Sequence, residues 1–344
     1  MGSLGSGAKK PWIQTPLIAS APLSRIAGCN VFLKLENLQP SGSFKSRGVG
    51  NLMFRAAAEA PGADVHFYCS SGGNAGLACA TSAIALNRKA TIVVPTITPP
   101  LMISKLRLLG ADCVQIGENW AQADRHLREE LLANDTNGVY VPPFDHPHVW
   151  EGASSIADEL AAQLPDVDVD AVVCSVGGGG LINGLAEGVE PKRWRKGEGE
   201  PPRLVAVETR GADSLNASVL AGEHVTLPRM TSIAISLGAT RVSERTWEVA
   251  RTTPGFCSVT VSDAEAAMAC VRFADDALFL VEAACGATLA TVYNGTLRKQ
   301  LGVGLSDEEW AKKNIVLIVC GGSVITMEML EGYRAKYGDA FAAK

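Results

Sequence analysis

Short apolar runs alternate along this chain with stretches of helical spacing. The clearest case lies between residues 90 and 116. There, apolar runs at 90–95 and 112–116 flank a stretch that predicts a helix carrying Met102, Leu106, Leu108 and Leu109. Such alternation is typical of β-α-β units, in which helices connect parallel strands. Further strands are predicted at 31–35, 66–68, 171–174 and 315–319. The pattern therefore predicts an α/β fold with open, twisted, mostly parallel sheets.

Four of these strands precede a turn rich in glycine and small polar residues. The turns cover residues 40–48, 69–76, 175–181 and 320–323. Ligands of open α/β sheets bind beyond the carboxyl ends of the strands, so four such turns indicate one shared cleft. The run of four glycines at 177–180 leads into a predicted helix and would present backbone N–H groups to an anion.

Lys45 gives the first turn its chemistry. A lysine that is partly withdrawn from water can act as a nucleophile or base, whereas a solvated surface lysine is the alternative for this residue taken alone. The glycine run does not fit G-x-G-x-x-G, and no G-x-x-x-x-G-K-[ST] occurs. Both absences disfavour a dinucleotide or a nucleoside triphosphate. A single phosphate in a glycine cup, together with a lysine, suggests pyridoxal phosphate held covalently.

In combination, these motifs resemble the fold type II pyridoxal-phosphate enzymes, and specifically the catabolic L-serine dehydratase/L-threonine deaminase group. The matching segments lie at 15–17, 33–36, 40–48, 70–76, 142–145, 175–181, 281–287 and 319–323. The resemblance implies two three-layer αβα lobes. The small lobe, residues 40–146, would be inserted into a large lobe formed by residues 1–39 and 147–344. It also implies a homodimer that acts on an amino acid.

The resemblance implies a role for each matching residue. Lys45 would hold the cofactor and remove the substrate's α-proton, with Phe44 near the cofactor ring. Cys320 would lie against the pyridine nitrogen, and Asn74 would hydrogen-bond the ring hydroxyl. The phosphate would be held by the backbone N–H groups of Gly177, Gly178, Gly179, Gly180 and Leu181. The substrate carboxylate would be bound by Ser70, Ser71, Gly72 and Asn74.

The reaction implied is α,β-elimination of water from L-serine, and also from L-threonine, to give ammonia with pyruvate or 2-oxobutanoate. A serine racemase is one alternative, in which Ser71 would be the second base, although racemases of this fold have serine where this chain has Cys320. A weakly active homologue that binds amino acids is another. Cysteine synthases resemble the chain too, but their substrate turn reads T-S-G-N-T-G, whereas this one reads S-S-G-G-N-A-G.

Residues 207–214 resemble the segment that binds potassium in this family. Glu208 and Ser214 would supply side-chain oxygens, and Ala212 would supply a carbonyl. Hard oxygen ligands of this kind suit such an ion. The alternative is that Glu208 caps a local turn.

Composition narrows the remaining possibilities. The 344 residues carry a net charge of −5, which gives no basic patch for nucleic acid. Nine cysteines without a C-x-x-C motif indicate reduced thiols in the cytoplasm. No apolar run is long enough to span a membrane. Residues 1–6 match a myristoylation pattern that a Gly/Ser-rich tail explains equally well, and residues 190–202 predict a charged surface loop.

Overall fold

The computed structural model describes residues 9–60, 62–190, 194 and 200–342. Residues 1–6 and most of the predicted loop at 190–202 lie outside the described residues. The chain divides into two units, each with its own sheet. Unit one contains the residues up to Gln14 together with Leu38–Ala153, and unit two contains Thr15–Asn37 together with Ser154–Lys344.

The described residues contain ten strands and fourteen α-helices. The strands are β1 (Leu17–Ala19), β2 (Asn30–Lys34), β3 (His66–Cys69), β4 (Lys89–Val94), β5 (Asp112–Gln115), β6 (Gly138–Tyr140), β7 (Ala171–Ser175), β8 (Arg203–Thr209), β9 (Cys257–Val261) and β10 (Asn314–Ile318). The helices are α1 (Ala21–Ala27), α2 (Lys45–Glu59), α3 (Asn74–Leu86), α4 (Pro100–Leu108), α5 (Trp120–His126), α6 (Pro147–Gln163), α7 (Gly180–Gly188), α8 (Ser214–Ala221), α9 (Glu244–Thr252), α10 (Asp263–Ala277), α11 (Ala283–Tyr293), α12 (Thr296–Leu301), α13 (Asp307–Ala311) and α14 (Met327–Ala342).

Unit two is built on a six-stranded sheet, counted over the described residues, in the order β1-β2-β10-β7-β8-β9. Only β1 is antiparallel to its neighbour there. Every residue of β7, and all but the first of β10, is buried. Continuous burial is what parallel strands covered by helices on both faces require, and it explains why these strands appear in the sequence as unbroken apolar runs.

Unit one has a sheet of four strands within its described residues, in the order β5-β4-β3-β6, and all neighbours are parallel. Phe67 on β3 and Ile92 on β4 are fully buried. The α/β fold with mostly parallel sheets is confirmed. No helix in the described ranges is both long and apolar enough to cross a membrane.

The predicted lobes, 40–146 against 1–39 with 147–344, differ from these units at their boundaries. Residues 9–14 belong to unit one because Gln39 exchanges two hydrogen bonds with the backbone of Ile13, at 3.0 and 2.9 Å. The start of α6 also belongs to unit one, because Gly48 lets it pack closely on α2. A Cβ on Gly48 would lie 2.7 Å from the carbonyl oxygen of Val149. The assignment of functional lobes stays a prediction.

Candidate active site

Lys45 is the first residue of α2 and is half-buried. Its Nζ donates a hydrogen bond to the carbonyl oxygen of Pro143 at 2.5 Å and lies 5.1 Å from the ring centroid of Phe44. The turn that precedes it is braced by its own side chains, since Ser46 Oγ donates to Ser41 Oγ at 2.8 Å. The sequence therefore places an amine at a fixed position after a rigid turn.

A second turn, residues 70–73, connects β3 to α3. Gly73 occupies the N-cap position of α3, and no side chain caps the helix within the described residues. Gly73 has no side chain with which to cap the helix, and N–H groups at the start of a helix can bind an anion. Ser71 Oγ accepts a hydrogen bond from Gly73 N–H at 3.3 Å. Its own hydroxyl proton remains a potential donor to a carboxylate.

Ser70 is oriented differently from Ser71. The Ser70 hydroxyl donates to Asp124 Oδ1 at 2.5 Å, and Ser70 is 1% exposed. Since this hydrogen bond uses the hydroxyl proton, any contribution of Ser70 to carboxylate binding falls to its backbone. Asp124 could not be predicted from the sequence, because it lies 54 residues from Ser70 and no local pattern connects the two positions.

In unit two, β7 leads through a short turn into α7, which begins at Gly180. Gly179 has φ +105°, a left-handed conformation that favours glycine, and a Cβ there would lie 1.7 Å from Thr246 Oγ1. Ser243 stabilises the turn, because its N–H group donates to the carbonyl of Gly178 at 3.0 Å. In the described part of the chain no side chain caps α7. The turn from Gly177 to Leu181 thus presents backbone N–H groups, as an anion cup does.

Cys320 follows β10, the sheet neighbour of β7, and is 4% exposed. Its Sγ lies 3.4 Å from Ser175 Oγ, two residues before the glycine cup. A hydrogen bond with Cys285 and burial together raise the pKa of the Cys320 thiol well above its ordinary value. The group therefore stays a neutral thiol. Unit two brings Cys320 and the glycine cup to neighbouring strand ends.

Glu208 and Ser214 are both buried in unit two. Glu208 accepts hydrogen bonds from the N–H groups of Leu215 at 3.0 Å and Asn216 at 2.7 Å. Glu208 thus caps the start of α8, and its predicted role as a potassium ligand stays a prediction. Ser214 Oγ donates to the carbonyl of Ala239 at 2.9 Å. Ala212 is also buried, and its N–H donates to the Thr209 carbonyl at 2.8 Å.

The chemistry of these groups fits pyridoxal phosphate. Unit one holds Lys45 together with Phe44, and it holds Ser71, Gly72 and Asn74 at one helix start. Unit two holds the uncapped glycine turn and the neutral Cys320 thiol. Directly before Phe44, the 1% exposed Ser43 has a hydroxyl oxygen with no hydrogen-bond partner among the described residues. This hydroxyl can therefore form a hydrogen bond to a group bound beside Phe44.

Comparisons with known proteins agree with this chemistry. A family model described as "Pyridoxal-phosphate dependent enzyme" matches residues 9–321. The L-serine dehydratase/L-threonine deaminase of Bos taurus is 43% identical over 326 residues, covering 95% of this chain and 96% of that protein. A serine dehydratase-like protein of Rattus norvegicus is 45% identical over 318 residues, covering 92% of each. The structure of a fungal L-serine ammonia-lyase from Rhizomucor miehei matches with a TM-score of 0.86 and 39% identity, covering 96% of this chain and 100% of that one.

Proposed function

Because the chain belongs to the pyridoxal-phosphate dependent enzyme family, we propose that it is an L-serine dehydratase that also accepts L-threonine. The products are ammonia with pyruvate or 2-oxobutanoate. The observation that carries the proposal is the half-buried Lys45 amine, which donates to the Pro143 carbonyl in the same unit as the glycine turn that begins α3 at Asn74. The similarity to L-serine dehydratases over more than nine-tenths of both chains supports it.

When bound, pyridoxal phosphate supplies an electron sink that acidifies the substrate's α-proton. The N–H groups from Gly177 to Leu181 would bind its phosphate, and the Cys320 thiol would contact its ring nitrogen. Asn74 would hydrogen-bond its ring hydroxyl. A thiol with a raised pKa is a poor proton source, so Cys320 would leave the ring nitrogen neutral. Elimination tolerates this because the departing hydroxyl takes the electron pair with it.

The proton steps fall to Lys45. In its neutral form, Nζ would remove the substrate's α-proton, and the Pro143 carbonyl would keep Nζ pointing in one direction. The Ser71 hydroxyl and the N–H groups of residues 71–73 would bind the substrate carboxylate, which fixes the α-carbon relative to the amine. The hydroxyl would leave as water, taking up one proton to balance the α-proton that Lys45 removed, and the released enamine would take up water to give the oxo acid and ammonia.

A racemase would need a second base. Ser71 is the candidate, and its Oγ accepts a hydrogen bond from the Gly73 N–H group. Cys320, at the position where racemases of this fold have serine, favours dehydration over racemisation. A weakly active homologue that only binds amino acids is distinguished by the turnover measurement below.

We further propose a homodimer in the cytoplasm with a potassium ion at Glu208, Ser214 and the Ala212 carbonyl. The resemblance of residues 207–214 to the family's potassium segment supports the ion. Throughout the described chain the nine cysteines are free thiols, as a reducing compartment favours. The family's usual assembly supports the dimer.

The decisive experiment follows the visible spectrum and oxo-acid formation together. Cofactor-loaded protein is incubated with L-serine, L-threonine and D-serine, and Lys45→Ala is the control. Pyruvate from L-serine in the unmodified protein, and none from Lys45→Ala, is the expected result. A spectral change without pyruvate contradicts the dehydratase. The conversion between L-serine and D-serine would then be measured to test for a racemase. No visible band after addition of pyridoxal phosphate overturns the proposal.

A further inference from the structure

A buried carboxylate, Asp124, lies next to the proposed substrate turn in unit one. It is on α5, is 8% exposed and accepts three hydrogen bonds. Ser70 Oγ and Tyr140 Oη both donate to Oδ1, at 2.5 and 2.7 Å, and Arg128 Nε donates to Oδ2 at 2.8 Å. The Arg128 guanidinium also lies 3.8 Å from the ring centroid of Tyr140. The carboxylate is therefore held on both oxygens.

Two of these donors begin segments that carry the proposed chemistry. Ser70 follows β3 directly and starts the turn at 70–73. Tyr140 is the last residue of β6, the neighbour of β3, and it precedes Pro143 by three positions. The Pro143 carbonyl is the acceptor for Lys45 Nζ. Asp124 thus connects the end of the strand that leads to the substrate turn with the end of the strand that leads to the lysine's acceptor.

We propose that Asp124 is a positioning residue that holds the substrate turn and the Lys45 amine at a fixed position relative to one another. Through Ser70 it fixes the directions of the N–H groups of residues 71–73. Through Tyr140 it fixes the Pro143 carbonyl, and with it Lys45 Nζ. The inference rests on the proposed function, and Asp124 itself contacts no substrate.

The set of donors explains why an aspartate stands at this position. A carboxylate offers two oxygens that only accept, so it can serve two hydroxyls and a guanidinium at once. Burial, and then the hydrogen bond to Asp124, raise the pKa of Tyr140, so its hydroxyl remains a donor. An asparagine would keep one oxygen for Ser70 and Tyr140 but would turn an N–H group towards Arg128.

The test uses the cofactor-loaded full chain with Asp124→Ala, Asp124→Asn and Tyr140→Phe. Asp124→Ala removes the hydrogen bonds to both Ser70 and Tyr140. We expect KM for L-serine to rise and kcat to fall, each by about tenfold, as loss of a charge-assisted hydrogen bond implies. Tyr140→Phe removes only the hydrogen bond on the side of Lys45, so kcat is expected to fall while KM stays within about twofold of the wild type. Asp124→Asn keeps one accepting oxygen and gives values between the wild type and Asp124→Ala.

Asp135→Asn is the matched control. Asp135 also accepts a hydrogen bond from a tyrosine of the same sheet, Tyr68, at 2.8 Å. It precedes β6, at the opposite end of the strand from Tyr140. Asp135→Asn is the same substitution as Asp124→Asn at the same kind of contact. It is expected to leave KM and kcat within about twofold of the wild type, because it lies away from the proposed site.

Hydrogen–deuterium exchange separates this inference from the proposed function. In Asp124→Ala, amides of residues 70–76 and 140–144 are expected to exchange at least about tenfold faster, whereas those of residues 171–188 in unit two stay unchanged. If the wild type turns over no amino acid, the proposed function fails, and the exchange pattern alone decides the role of Asp124. If Asp124→Ala does not fold, Asp124→Asn and Tyr140→Phe give the same comparison. The inference is overturned if residues 70–76 and 140–144 exchange no faster in the Asp124 variants than in Asp135→Asn. It is also overturned if KM and kcat are unaffected in every variant.

Discussion

Gly72 and Thr98 share one small space at the carboxyl end of β4. A Cβ on Gly72 would lie 2.8 Å from Thr98 Cγ2 and 3.3 Å from Val94 Cγ1. The first distance is shorter than any ordinary carbon–carbon contact, so an alanine at position 72 needs the threonine methyl to move. The glycine in this substrate turn is thus matched to the threonine that packs against it.

We therefore predict that Gly72→Ala destabilises the protein by about 1–3 kcal/mol, the usual range for overpacking. Thr98→Ser deletes the methyl group and keeps the hydroxyl, so the double variant Gly72→Ala/Thr98→Ser is expected to regain most of the loss. Urea unfolding of the wild type, both single variants and the double variant forms a complete cycle. A double variant no more stable than Gly72→Ala would show that Thr98 is not the obstacle.

At the scale of single elements, α8 is capped by a carboxylate that is itself buried. Burial raises the pKa of Glu208 to about 8 from an ordinary value of 4.5, although the N–H groups of Leu215 and Asn216 act in the opposite direction. Between those two pH values the folded protein keeps a proton that the unfolded chain has lost. This contribution to stability is therefore complete below pH 4.5, falls as the pH rises, and is lost above about pH 8.

The prediction is that Glu208→Gln flattens the dependence of the unfolding free energy on pH. The slope removed is at most about 1.4 kcal/mol per pH unit between pH 5.5 and 7.5. Urea unfolding at several pH values measures it. A potassium ion at Glu208 would stabilise the carboxylate, so the wild-type slope should also shrink in potassium buffer relative to tetramethylammonium buffer.

Glu265→Gln is the control for Glu208→Gln. Burial acts to raise the pKa of Glu265, but the Ser262 N–H group and the Asn294 amide lower it overall. Its contribution to stability is present above the unfolded pKa and is lost only at lower pH. Its substitution should leave the slope between pH 5.5 and 7.5 unchanged. A wild type and a Glu208→Gln variant with parallel pH profiles would contradict the assigned role of Glu208.

The sequence predicted the elements of this chain better than it predicted their side-chain contacts. Strand β2 covers residues 30–34, against a predicted 31–35, because the apolar residues at 31–33 and 35 mark a largely buried strand even though Lys34 interrupts them. Leu108 is predicted on the same helix as Met102 and Leu106, and α4 includes it, yet it is 88% exposed because it lies about 200° around the helix from Leu106, on the opposite face. Periodicity identifies a helix but does not fix where its apolar face stops.

The contacts that could not be predicted join residues that are far apart in the sequence. The predicted binding of the substrate carboxylate at Ser70 stays a prediction for its backbone, and its hydroxyl makes a contact that was not predicted, donating to Asp124. The turn from β3 into α3 could be predicted from local residue types, since glycine and small polar residues have turn geometry of their own. The acceptor for Ser70 depends on how α5 packs on the sheet, which no local pattern encodes.

At the scale of the whole molecule, cofactor binding should appear as stability. A ligand that binds only the folded protein raises the unfolding free energy by about 2.7 kcal/mol at a hundredfold excess over its Kd. In Lys45→Ala the amine is absent and the glycine cup is intact. Pyridoxal phosphate is therefore expected to raise the thermal midpoint of that variant, whereas pyridoxal, which lacks the phosphate, is not.

Gly179→Ala in the same Lys45→Ala background should abolish the effect of pyridoxal phosphate. Alanine at φ +105° is strained, and its Cβ would meet Thr246 Oγ1. Gly222→Ala is the matched control, because Gly222 has φ +72° and no atom within 4 Å of an added Cβ. Both alanines carry a left-handed backbone penalty of about 1–2 kcal/mol, so both lower the midpoint without ligand. Only Gly179→Ala should lose the response to the phosphate, and a retained response would place the phosphate elsewhere.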